Sequence, residues 1–145
     1  MTGLRSRFVV CEDGTEYVER FRRFLGDDFD FVPAHDFGEA RAAMPGAAGI
    51  LLDLDFRRTP PERLVDERGP APAPLDAGTR ARLVETQGIL ILRQLRAAAI
   101  ACPAVLFADF DDAGQRAFLE RTLAPLTIAG SRLGLAEIAA LLRGY

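Results

Sequence analysis

Five short apolar runs alternate with longer segments of helical period along the 145 residues, and this alternation restricts the fold more than any other feature of the chain. Phe8-Val9-Val10-Cys11 reads as a buried strand, ending in the acids Glu12 and Asp13 and the turn residue Gly14. Thr15 is placed to cap a helix whose apolar positions Tyr17, Val18, Phe21, Phe24 and Leu25 follow a three-to-four spacing, with Gly26 as its stop. A second strand covers 29–32, and a helix capped by Asp36 runs to about Met44, where Pro45-Gly46 breaks it. Gly49-Ile50-Leu51-Leu52 is uniformly apolar, as a central strand covered on both faces must be, and ends in Asp53-Leu54-Asp55.

Regularity lapses over 57–78, which holds most of the chain's prolines. Pro60-Pro61-Glu62 can start a short helix through Asp66, and 69–74 reads as extended, polyproline-like chain. The segment is expected to be a solvated surface insertion, with a partner-binding loop as the alternative. Thr79 then opens one long helix carrying Leu83, Val84, Ile91, Leu92 and Leu95, with Gly88 its weak point. A fourth strand at 103–107, a helix capped by Asp111 or Asp112 and reaching about Leu123, a fifth strand at 126–129 and a closing helix at 135–142 complete the chain. Five βα units in succession, joined by right-handed crossovers, predict an α/β fold with a doubly wound parallel sheet, in a single domain over 1–145. The common strand order 2-1-3-4-5 sets strands one and three side by side. Their carboxyl ends then carry Glu12, Asp13 and Asp53 to the edge where open α/β sheets bind ligands.

Composition removes several other chemistries. All 18 basic side chains are arginine; lysine, asparagine and tryptophan are absent. Mechanisms that need a lysine ammonium, such as Schiff bases and P-loop phosphate clamps, are therefore excluded. A net charge of −3 with scattered arginines argues against a general nucleic-acid surface. No apolar run approaches the roughly 20 residues that span a bilayer, and the first residues put acids directly after a short apolar run, unlike a signal peptide. Cys11 and Cys102 lack metal-ligand spacing and read as small buried residues in a reducing compartment, and His35 is the single histidine. A cytoplasmic location is expected.

Clustered carboxylates repel, so they need a cation or a raised pKa to coexist. Mg²⁺ suits oxygen ligands and bridges to phosphate, and beside it Asp53 could serve as a nucleophile towards a phosphoryl donor.

On the residues FVVCED with its following helix, ILLDLD, CPAVLFAD and LAEIAALL, the chain resembles a response-regulator receiver domain over essentially its full length. The resemblance implies a flavodoxin-like fold in two-component signal transduction. It implies that Glu12 and Asp13 help bind Mg²⁺, that Asp53 accepts the phosphoryl group, and that Asp55 gives a backbone carbonyl to the metal. Several family positions depart from the pattern. The Thr or Ser ending the fourth strand is matched by Ala108, the lysine ending the fifth by Ser131, and the switch aromatic by Ala129. Arg132, at the position of the following proline, is the cation that could compensate, although a guanidinium differs from an ammonium in reach and geometry. Losing the lysine removes a charge-assisted hydrogen bond worth on the order of 1.5–3 kcal/mol.

The expectation is an atypical receiver, or pseudo-receiver, that is not an enzyme, acts through protein contacts rather than conventional phosphorylation, and binds Mg²⁺ weakly. A signalling protein or histidine kinase is the expected partner, with a homodimer through the last two helices as a further contact and no nucleic acid or membrane. The main alternative is a phosphorylation-competent receiver using Asp53 and Mg²⁺. A minor one is a haloacid-dehalogenase-like phosphatase, since Asp53-Leu54-Asp55 matches its DxD motif; Phe56-Arg57 and the missing lysine depart from that family. A nucleotide-sugar transferase needs a longer chain, and a pure interaction module with vestigial acids would bind no Mg²⁺.

Overall fold

The computed structural model describes residues 4–145; Met1, Thr2 and Gly3, where the segment read as unlike a signal peptide begins, lie outside the described residues. Strands β1 (Ser6–Cys11), β2 (Phe29–Ala34), β3 (Gly49–Asp53), β4 (Ala104–Phe107) and β5 (Leu126–Ala129) form one parallel sheet in the order β2-β1-β3-β4-β5. Helices α1 (Glu16–Leu25), α2 (Phe37–Ala43), α3 (Ala77–Glu85), α4 (Gln87–Ala97), α5 (Ala113–Thr122) and α6 (Leu135–Arg143) connect and cover it. The doubly wound α/β architecture expected from the alternation is the one observed. Pro33 is accommodated because β2 is an edge strand, where a missing N–H costs no ladder bond on the free side.

Strand alternation divides the core in two. Phe8, Val10, Leu51, Val105 and Ala129 face α1 and α6, where they meet Val18, Phe21, Ile138 and Leu142. Val9, Cys11, Ile50, Leu52, Leu106 and Ile128 face the opposite layer, where Ala40, Leu83, Ile91, Leu95 and Leu119 cover them. Each buried aliphatic or aromatic side chain contributes about 1.5–3 kcal/mol relative to exposure, so both faces of the sheet are committed to the interior. Arg96 closes the amino edge: its guanidinium donates to the carbonyls of Ile100, Cys102, Leu123 and Pro125 at 2.8–3.1 Å.

Two local expectations change. The long helix from Thr79 is two helices, because Thr86 leaves helical geometry (φ −122°, ψ 14°). Asp76, not Thr79, caps α3, its carboxylate accepting from the Thr79 amide. The break brings the start of α4 against the end of β3. The Gly88 amide donates to the Leu54 carbonyl, and a Cβ on Gly88 would lie 2.0 Å from the Asp53 carbonyl oxygen. Gly88 therefore allows a close approach of two backbones rather than weakening a helix interior.

The second change concerns 57–78. Much of the segment is exposed, but Leu64 and Val65 are buried and belong to the core on the α2–α5 side. Its helix shrinks to a 3₁₀ turn over Pro61–Arg63. Buried Gln87 ties the segment down: its side-chain oxygen accepts from the Val65 amide, and its nitrogen donates to the Val65 and Leu83 carbonyls. Arg63 binds Asp36 and Glu39 at the start of α2. The segment is a strap at the carboxyl side of the sheet, tied to the start of α2 through Arg63 and to the start of α4 through Gln87.

Candidate functional site

Register sets the site. Cys11 pairs with Leu52, so Glu12 and Asp13 leave β1 alongside Asp53, the last residue of β3; Asp53 pairs with Phe107, and Phe107 with Ala129. Asp53 is half-buried, and its Oδ1 accepts from the Leu54 amide at 2.8 Å. Burial pushes its carboxyl up to about 6, against the Leu54 amide, and the negative charges of Asp13, Glu12 and Asp55 add to the shift. Among the described residues no cation pairs with Asp53.

The other acids have each found a partner. Glu12 is only 1% exposed, and its two carboxylate oxygens accept from the Tyr17 and Val18 amides at 3.0 and 2.8 Å. It thus caps α1 in place of Thr15, whose side chain makes no capping bond. Its burial raises its carboxyl from the ordinary range, with the two amides opposing. Its carbonyl accepts from the His35 ring Nδ1 at 3.1 Å. The Asp55 carboxylate turns to Arg57, accepting from that residue's amide and Nε at 3.0 and 2.7 Å.

Asp13 is held by a residue from the strap. Arg58 donates its backbone amide to Oδ2 at 2.8 Å and its Nη2 to Oδ1 at 2.9 Å. The same guanidinium forms a fork on Glu16, Nη1 to Oε1 at 2.7 Å and Nη2 to Oε2 at 3.1 Å. The Arg58 hydrogen bonds hold the Glu16 carboxyl down at about 2 and push the guanidinium above its ordinary value. The Asp13 side chain is only 6% exposed.

This arrangement does not fit a divalent ion as it stands. Glu12, Asp13, Asp53 and Asp55 lie at one sheet edge, as expected, but among the described residues no three acid, histidine or cysteine side chains converge closely enough to hold a metal. The cause is the partners above: α1 amides occupy Glu12, Arg58 occupies Asp13, and Arg57 occupies Asp55.

The matched switch positions lie on the neighbouring strand ends. Ala108, Ala129 and Ser131, with Asp109 and Gly130, line a recess of about 120 Å³ closed by Tyr17, Phe107 and Ile138, with Arg20 at its rim. Tyr17 stacks on Phe107 with ring centroids 4.8 Å apart. The Asp109 carboxylate accepts from the Ser131 amide at 2.9 Å, which holds it below the ordinary carboxylate range and joins the loops after β4 and β5. Arg132 is exposed and lines a different shallow recess, with Arg116, Leu133 and Leu141; it forms no ion pair with Asp53. Sequence reasoning missed Arg58, Asp109 and Gln87. Only Arg58 had a signal, an arginine five residues beyond Asp53 in a chain that lacks lysine.

No protein-family model and no curated protein matches the chain. Solved structures do. The Francisella response regulator 1452 receiver domain is similar at TM-score 0.66 and 13% identity, over 96% of this chain and 94% of that one. A response regulator receiver protein from Pseudomonas putida gives TM-score 0.62 and 18% identity, over 99% and 100%. The BeF3-activated N-terminal receiver domain of Klebsiella pneumoniae RstA gives TM-score 0.61 and 20% identity, over 95% and 96%. At these identities the likeness establishes the receiver-domain fold, over 95–99% of the chain in the three matches.

Proposed function

We propose that the chain is an atypical receiver-like domain of two-component-type signal transduction, one that works through protein–protein contacts and not through phosphorylation of Asp53. The observation that carries this reading is the surroundings of Asp53. The carboxylate is in place at the end of β3, yet among the described residues no cation pairs with it, and the positions matched to the family's hydroxyl, aromatic and lysine are Ala108, Ala129 and Ser131 around a recess. Phosphoryl oxygens added at Asp53 would meet no ammonium to offset their charge, and no hydroxyl or aromatic would relay the change. Divalent binding at the acids is weak in this reading, and the domain is not an enzyme.

Its partner is a histidine kinase or another signalling protein. In this reading homodimer contacts fall on α5 and α6, and Phe118 is exposed on α5 under the Arg121 guanidinium. No helix among the described residues is long and apolar enough to cross a membrane. A cytoplasmic location belongs to the proposed reading. Fluorine NMR with beryllofluoride and Mg²⁺ tests the reading: no bound fluoride resonance is expected, whereas a stoichiometric complex lost in Asp53→Asn supports the phosphorylation-competent alternative.

A further inference from the structure

We propose that Arg58 is the resident cation of the acid site, seated on Asp13 and Glu16 so that a divalent ion reaches Asp13 only by displacing it. The inference deepens the reading above and rests on it for placing a receiver-like acid site at this edge. Three independent observations carry it. First, the Asp13 carboxylate is 6% exposed, and both its oxygens are used by Arg58, one through the backbone amide and one through the guanidinium. A carboxylate so enclosed needs a counter-charge, and the strap supplies one. Second, Glu16 adds a two-bond fork that fixes the plane of the guanidinium, a geometry that lysine cannot provide.

Third, the seat has a floor shaped for it. A Cβ on Gly14 would lie 2.4 Å from Arg58 Nη2 and 2.3 Å from Glu16 Oε2, so the loop between β1 and α1 is open only because residue 14 has no side chain. The strap in turn holds Arg58 over this floor, because Gln87 and Arg63 anchor the chain that follows it. The guanidinium is thus an intramolecular competitor, kept within hydrogen-bond reach of Asp13 by the chain itself, and an added ion must overcome it at a cost in affinity.

Titration calorimetry with MgCl2 at constant ionic strength tests this on the full chain, comparing wild type with two variants. Arg58→Met removes the competing charge. Gly14→Ala keeps every charge and instead places a methyl group where the guanidinium lies, moving the far end of a flexible side chain. Circular dichroism melts identify any variant that fails to fold. Both variants are expected to bind Mg²⁺ at least about tenfold more tightly than wild type, and to gain thermal stability on adding Mg²⁺ where wild type gains little. Equal affinities in all three proteins, or no binding in any of them, would overturn the assignment. Either result leaves the beryllofluoride test untouched, whereas a wild-type beryllofluoride complex would overturn the functional reading without touching the competition measured here.

Discussion

A carboxylate at a strand end can lower its charge by taking up a proton, by accepting backbone amides or by pairing with a cation. The four acids of this site divide among these routes. Asp53 tends towards the first as pH falls: its carboxyl sits at about 6, above the ordinary 3.8, because it is half-buried among other acids. The folded state therefore holds this proton more tightly than the unfolded chain does. Ionising Asp53 costs stability, a loss absent below about pH 4 and complete above about pH 7. Asp53→Asn is expected to stabilise the protein by about 1–2 kcal/mol at pH 8 and to have little effect at pH 4, as read from urea melts at the two pH values. A variant equally stable with wild type at both would show that Asp53 is solvated. Glu16 runs the other way at lower pH: its depressed carboxyl contributes stability above its ordinary value of 4.5, which is lost as pH falls towards 2. Glu12 takes the second route. Glu12→Ala leaves the Tyr17 and Val18 amides without acceptors and is expected to lower stability by about 2 kcal/mol, with the loss visible in the melting midpoint.

The strap is the element that sequence reading described least well. Prolines and charges over 57–78 made it look solvated, and for Arg57, Glu62, Glu67 and Arg68 exposure is what the structure shows. Leu64 and Val65 are two apolar residues without a period, too few to register as a buried element, and Gln87 lies 22 residues away from the backbone groups it binds. Such a contact has no local signature. Leu64→Ala is expected to cost about 2–4 kcal/mol in urea unfolding; a loss below about 0.5 kcal/mol would mean the strap is not part of the core. The division between α3 and α4 was hidden for a related reason. Gly88 reads as a weak point inside a continuous apolar pattern, while what it meets is the Asp53 carbonyl of β3, which leaves no room for a Cβ at residue 88. By contrast Asp36 and Asp112 were legible as caps, because a cap is a local bond to an amide two or three residues onward.

At the scale of the whole molecule, the five apolar runs were sufficient for a doubly wound parallel sheet, and the common order 2-1-3-4-5 is the one observed. They also brought Glu12, Asp13 and Asp53 to one edge. They could not reveal that Glu12 turns back into α1 or that an arginine from the strap covers Asp13, because both depend on side-chain direction after the strands end. The molecule that results has the receiver fold, Asp53 at the end of β3 with no ion-pair partner among the described residues, and a neighbouring acid, Asp13, already paired with Arg58. The most direct test is intact-protein mass spectrometry after incubation with acetyl phosphate and MgCl2, with Asp53→Asn as control. Wild type is expected to carry no phosphoryl adduct; a near-stoichiometric adduct that disappears in Asp53→Asn would contradict a phosphorylation-independent domain.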